Sequence, residues 1–158
     1  MSVTIRKIEA RDEADWRSLW AGYCTFYGQQ VPEGVTRHTW ARIMDPASTV
    51  NAILAEHPTA GVVGMAIYVL HENTWSLTPG CYLEDLFVSP VHRGGGVGQA
   101  LIDWLQAQMK AQNWSRLYWH TQENNYRARG LYDKYTEHSG AVRYLIRNAE
   151  AQPPKTLD

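Results

Sequence analysis

Arg93-Gly94-Gly95-Gly96-Val97-Gly98 is the segment that most constrains this chain, because four glycines crowd into five positions directly between two regular elements. Before it, residues 82–88 form an apolar, β-rich run; after it, Val97, Leu101, Ile102, Leu105 and Met109 fall on one face of a helix predicted to reach about Gln112. Glycines at a strand-to-helix turn let a ligand approach the backbone closely. The unpaired N–H groups of the helix start, with the helix dipole, favour a phosphate there. The local sequence therefore predicts a pyrophosphate cradle.

Two familiar phosphate loops fail on counting. A Walker loop needs Gly, four residues, then Gly-Lys-Ser/Thr, whereas position 99 is Gln and no Lys follows. A dinucleotide fingerprint needs glycines at the first, third and sixth places of an early βα unit. Here Gly94 and Gly96 are followed by Gln99, past the middle of the chain.

Period-two alternation predicts a first strand over residues 3–8. A helix follows, with Asp12 as its expected cap and Trp16, Leu19, Trp20, Tyr23 and Tyr27 on one apolar stripe. Residues 28–34 break the pattern before a second short helix over 36–44, closed by Asp45-Pro46. Residues 50–56, 62–70 and 82–88 read as an antiparallel meander. After the glycine loop and its helix come a buried strand over 117–119, a helix over 125–138 and a last strand over 142–146. The order predicts an α/β (α+β) fold: a mixed, mostly antiparallel sheet flanked by helices, one domain over 1–148 with an unstructured tail over 149–158.

Composition excludes several classes. Fifteen Lys and Arg against sixteen Asp and Glu leave a net charge of -1, so no broad basic face exists to hold a nucleic-acid backbone. Cys24 and Cys81 stand far apart, in neither metal-ligand nor disulfide-framework spacing, which implies a reducing cytoplasm and no metal. No apolar run reaches membrane-spanning length, and residues 1–16 lack the pattern of a signal peptide.

The Arg93, Gly96 and Gly98 positions match the Arg/Gln-x-x-Gly-x-Gly/Ala signature of the GNAT acetyltransferase superfamily. The resemblance extends over most of the chain. YLEDLFV and the preceding VVGMAIYVL are most similar to diamine and thialysine acetyltransferases, and YWHTQENNYRARGLYDKYTEHSG resembles the yeast histone/polyamine acetyltransferase group. It implies a homodimer using acetyl-CoA as cosubstrate. By the same resemblance, the backbone of Leu86, Phe87 and Val88 pairs with the pantetheine arm; Arg93, Gly94, Gly95, Gly96, Val97, Gly98 and Gln99 hold the pyrophosphate; and Asn125 and Tyr132 face the coenzyme. One departure falls after the last helix: where relatives often carry Leu-Gly-Phe, this chain has Tyr135-Thr136-Glu137, with Gly140-Ala141 later.

Acetyl transfer to an amine requires the neutral amine, and alkylamines titrate near the lysine value of about 10.4, so a base is needed near neutral pH. Glu84 and Asp85 are adjacent in an apolar strand. In an ideal strand they point to opposite faces, and only a bulge would bring both to one spot. By resemblance, Glu84 is the expected base, Asp85 the charge attracting the acceptor, and Tyr132 the acid that protonates the leaving thiolate. His92 and His120 are alternative bases. Tyr27 and Trp75, with Tyr23, are candidate walls of the acceptor site. The function expected is transfer of acetyl to a primary amine of a small molecule, polyamine or amino-acid-like. A protein or peptide lysine acetyltransferase and a non-catalytic acyl-CoA-binding regulator are the alternatives.

Overall fold

The computed structural model describes residues 2–151. These cluster into two compact units, the first ending at Trp119 and the second beginning at His120.

The first unit is a five-stranded sheet in the order β1 (Thr4–Lys7), β2 (Val50–His57), β3 (Gly61–His71), β4 (Gly80–Val88) and β5 (Arg116–Tyr118). The first four strands pair antiparallel and β5 joins β4 in parallel, matching the mixed, mostly antiparallel sheet expected. Helices α1 (Glu13–Phe26) and α2 (Glu33–Met44) cover one face. There Trp16, Leu19 and Ile43 pack on Ala52, Leu54, Met65, Ile67 and Phe87 in one buried cluster. Helix α3 (Val97–Ala111) covers the other face, burying Val97, Leu101, Ile102 and Leu105 as the 3.6-residue period requires. Trp104 and Trp114 close on Tyr68 there, at ring separations of 6.4 and 5.7 Å.

Local chemistry moves some predicted boundaries. Helix α2 starts at Glu33, three residues early, because the Pro32 carbonyl accepts from Val35 and Thr36 and begins the helical ladder. Asp12 precedes α1 but does not cap it. Its carboxylate is buried and instead takes Arg6 in a fork at 2.8 and 2.9 Å, with the Glu9 N–H at 2.7 Å. A bidentate guanidinium is the stronger partner, and it draws the carboxylate away from the helix start. The same Arg6 reaches Glu56 on β2 at 2.8 Å, tying the chain's first strand to its neighbour.

The second unit holds α4 (Tyr126–Tyr132). The predicted helix over 125–138 is thus cut at Tyr132, whose carbonyl receives both Tyr135 and Thr136 in a tightening last turn. The predicted strand over 142–146 does not form. Among the described residues no strand lies alongside to complete a ladder, and Val142, Tyr144, Leu145 and Ile146 remain 75%, 92%, 51% and 97% exposed. Of the predicted tail, residues 148–151 make a turn closed on Asn148, and 152–158 lie outside the described residues. No helix among the described residues is long and apolar enough to cross a membrane.

Candidate active site

Strand β4 has two different edges along its length. Residues Gly80, Cys81 and Tyr82 pair with β5, but from Leu83 to Val88 only β3 adjoins it among the described residues. The outer backbone edge of Leu86 and Phe87 is therefore open to an extended ligand, the place where an added strand would go. The Val88 carbonyl is already engaged by Arg93 Nε at 3.0 Å.

The open edge runs straight into the glycine loop. Gly94 and Gly96 have φ of +82° and +80°, the left-handed region that disfavours side chains, and a Cβ at either would meet nothing within 4 Å. Gly96 is the residue before α3, so the first N–H groups of a 15-residue helix face the loop. Close packing fixes the helix there: a Cβ on Gly64 of β3 would lie 3.0 Å from Val97 Cγ1. An open backbone edge leading to a glycine-lined helix start fits the pantetheine and pyrophosphate parts of a coenzyme.

The two carboxylates are brought together by a bulge. Ile67 pairs with Asp85 and Tyr68 with Leu83, so Glu84 has no partner in the register. Leu83 lies opposite Tyr68 on the α3 side, whereas Asp85 and Phe87 both meet Tyr23 of α1. Residues 83 and 85 thus point to opposite faces, and the extra residue absorbs the slip. Arg42 of α2 is the opposing charge that Glu84 feels.

Glu84 is exposed enough to be reached from solvent, yet crowding by protein atoms pushes its carboxyl up, with Arg42 opposing. Asp85 is pushed further, to about 7, chiefly by desolvation; the Tyr23 hydroxyl pulls it down and the Glu84 charge pushes it up. Burial and the Asp85 charge raise Tyr23 well above the ordinary phenol range, so it stays a protonated donor. Tyr27 ends α1 beside Tyr23, with ring centroids 4.8 Å apart, and feels the Asp85 charge as well.

Other expected residues lie elsewhere. Trp75 is 95% exposed in the β3–β4 loop, which enters β4 at the end away from the glycine loop. His92 sits in the short helical turn before Arg93, its ring 5.5 Å from that of His57. Asn125, Tyr132 and His120 belong to the second unit. There Asn125 caps α4 by accepting from the Ala128 N–H at 3.4 Å, and Tyr132 is the helix's last residue. Sequence reading missed Arg42 as the charge beside Glu84 and read Tyr23 first as packing. A tyrosine on an apolar helical stripe carries no mark of what its hydroxyl meets.

Comparison with known proteins agrees with this geometry. Residues 14–136 match the model of the Acetyltransferase (GNAT) family. The D-amino-acid N-acetyltransferase HPA3 of Saccharomyces cerevisiae is 32% identical over 143 residues, covering 90% of this chain and 89% of that protein. Among solved structures, a ribosomal-protein-alanine N-acetyltransferase from Brucella melitensis biovar Abortus 2308 superposes with a TM-score of 0.78 at 22% identity, over 94% of this chain and all of that one. The enzyme AAC(6')-Iy, solved with a bisubstrate analogue built on CoA, gives 0.79 at 18% identity, again over 94% and 100%. The family match over most of the chain, together with the 32% identical relative, places this protein in the GNAT family of acetyltransferases.

Proposed function

We propose that the chain transfers the acetyl group of acetyl-CoA to a primary amine of a small acceptor by direct attack, with Glu84 as general base and Tyr132 as the acid. The observation that carries this reading is the bulge at Glu84, which sets two carboxylates side by side on β4 just before its open edge meets the glycine loop. The bound coenzyme supplies a thioester whose carbonyl carbon accepts the amine. Leu86 and Phe87 hold the pantetheine arm by backbone pairing, and the loop from Arg93 to Gln99 receives the pyrophosphate on N–H groups. Asp85 attracts the ammonium, Glu84 removes one proton, and the neutral amine then attacks; as the tetrahedral intermediate collapses Tyr132 protonates the departing sulfur, and the second nitrogen proton restores Tyr132, leaving the Glu84 proton to pass to solvent. Tyr27, at the end of α1, lines the acceptor side.

The relative that acts on D-amino acids supports an amino-acid-like acceptor, and Arg42 strengthens it. A guanidinium beside Glu84 offers a counter-charge for an acceptor carboxylate and repels the second ammonium of a polyamine. The family match spans both compact units, which supports one functional domain over 1–148. Cys24 and Cys81 are free and buried, in keeping with a cytoplasmic setting. A homodimer would account for the exposed apolar run at Val142, Tyr144, Leu145 and Ile146.

The test is thiol release from acetyl-CoA across D- and L-amino acids, diamines, polyamines and lysine peptides. Turnover of amino acids above diamines and peptides is expected. Turnover confined to peptides would move the assignment to a protein acetyltransferase, and coenzyme binding without turnover would make the chain a regulator.

A further inference from the structure

We propose that Arg93, besides securing the glycine loop, binds the carboxylate of an amino-acid acceptor, so that the acceptor is gripped at both charged ends: ammonium at Asp85, carboxylate at Arg93. The proposal rests on the acceptor site assigned above and narrows its substrate to α-amino acids.

The guanidinium is held on the acceptor face of the sheet. Asp85 stands opposite Ile67 and Phe87 opposite Met65, and Ile67, Met65 and Phe87 belong to the buried cluster under α1 and α2. Opposite partners in a strand pair project to one face, so Asp85 and Phe87 share the α1 side. The Phe87 ring is pressed on that helix, where a Cβ on Gly22 would fall 2.9 Å from its Cζ. The Arg93 guanidinium lies over the Phe87 ring at 5.4 Å and over the Phe26 ring at 5.0 Å. Its place is therefore beside the end of α1, on the same face as Asp85 and not on the face that α3 covers. Residues 85 and 87 are one strand repeat apart, about 6.5 Å. Charges carried on a single carbon can span such a gap with a hydrogen bond of about 2.8 Å at either end.

The fork of this guanidinium is uncommitted. Its Nε donates to the Val88 carbonyl at 3.0 Å, which fixes the plane of the group. Among the described residues neither Nη meets a hydrogen-bond acceptor, and no carboxylate pairs with Arg93. Other part-buried arginines differ: Arg6 takes Asp12 and Glu56 at 2.8 Å each, and Arg17 takes Glu33 at 2.9 Å. A planar cation set against two rings, with both Nη groups unengaged, suits the two oxygens of a carboxylate. Phe26 and Tyr27 are 56% and 39% exposed, so the end of α1 beside it borders solvent. Arg42, the charge that Glu84 feels, is a poorer holder, because it is exposed and turns one Nη to Thr39 Oγ1 of its own helix at 3.3 Å. It contributes a general positive field, and Arg93 the fixed geometry.

The test uses the full-length protein with saturating acetyl-CoA, the best amino acid of the acceptor panel, and that amino acid's α-carboxamide, which keeps the amine and side chain but not the negative charge. The preference is the ratio of their kcat/KM values. In Arg93→Gln it should fall roughly 10- to 100-fold, the loss of one charge-assisted pair, through a higher KM for the amino acid. Arg42→Gln should keep most of it. Weaker coenzyme binding or a distorted loop would slow both acceptors alike and leave the ratio where it was. If Arg93→Gln takes up no acetyl-CoA, Phe26→Leu is read instead: it loosens the guanidinium and should cut the preference roughly 2- to 5-fold, the size of one exposed cation–π contact. A preference unchanged in these variants, or lost in Arg42→Gln and kept in Arg93→Gln, overturns the proposal. Should the parent acetylate no amine, the reading of the acceptor site fails, while calorimetric titration of the acetyl-CoA-loaded protein with the two compounds still decides whether Arg93 selects the carboxylate.

Discussion

Arg93 donates through Nε to the Val88 carbonyl at 3.0 Å while its guanidinium lies over the rings of Phe26 and Phe87, 5.0 and 5.4 Å from their centroids. The side chain that opens the family's signature thus staples the entrance of the glycine loop to the end of β4 and to the last turn of α1. Lysine keeps the charge but has no Nε and no planar group to lay on the rings. Arg93→Lys should therefore weaken coenzyme binding roughly 10-fold or more, close to Arg93→Ala, since a hydrogen bond to a charged group is worth about 1.5–3 kcal/mol. Calorimetric titration with acetyl-CoA checks this. Lysine binding like the parent would mean that charge alone is what the loop requires.

The three consecutive glycines give a second test, because they differ in backbone. Gly94 and Gly96 lie at positive φ, so any side chain there strains the loop before a ligand arrives; Gly95 does not, and a Cβ on it would touch the His92 carbonyl oxygen at an ordinary 3.6 Å. Gly96→Val should lose coenzyme binding and also lower the melting temperature. Gly95→Val should keep the melting temperature near the parent's and still weaken acetyl-CoA, by blocking approach to the backbone. Equal affinity in folded Gly95→Val would place the phosphates elsewhere.

How much of this is legible in the chain follows from which interactions are local. The glycine loop, α1, α3 and the meander are readable because period and turn chemistry are written in neighbouring residues. The Glu84 bulge is readable only as a condition, since a register slip depends on β3 as much as on β4. Asp12 looks like a helix cap because its strongest partner, Arg6, is supplied by another element. The segment over 142–146 is rich in β-forming residues, yet a strand exists only where a neighbour completes its hydrogen bonds, and no local pattern states that. Tyr23 is the sharpest case, because its helical spacing is satisfied equally by packing and by reaching Asp85.

The Arg6–Asp12 fork predicts how stability responds to acid. Arg6 hydrogen-bonding holds the Asp12 carboxyl below its ordinary range. A depressed folded-state pKa stabilises above the unfolded value of about 3.9 and is lost as pH falls through the lower folded value. Asp12→Asn removes the charge and one of the two oxygens that the Arg6 fork needs. It should cost about 2–4 kcal/mol at neutral pH, seen as a melting temperature lower by roughly 5–10 °C. The gap between the two proteins should narrow below about pH 4. A gap that stays constant down to pH 3 would show that Asp12 acts by shape alone.

Glu84→Gln is the variant that bears most directly on the chemistry, since it keeps the size and hydrogen-bonding reach of the side chain and removes only its capacity to take a proton. The bulge leaves Glu84 outside the strand register, so this replacement breaks no ladder hydrogen bond and the fold should stay intact. Turnover with the best amine should fall by roughly 100- to 10,000-fold near neutral pH, the span of general base catalysis. Crowding raises the Glu84 carboxyl from its usual range, so the parent should lose rate as pH drops toward that raised value, and the Glu84→Gln variant should lack this limb. As pH climbs toward the amine's own pKa, near 10 for an alkylamine, the acceptor deprotonates in water and the variant should recover much of its deficit. Asp85 then separates two forms of base catalysis. In Glu84→Gln the neighbouring charge that raises Asp85 is gone, so the Asp85 carboxyl should move down from its raised value and bind the ammonium no less well. Amine KM should accordingly change little while kcat falls. A Glu84→Gln protein with parental turnover at pH 7 would assign the proton to Asp85 or to water, and the double variant with Asp85→Asn would tell these apart.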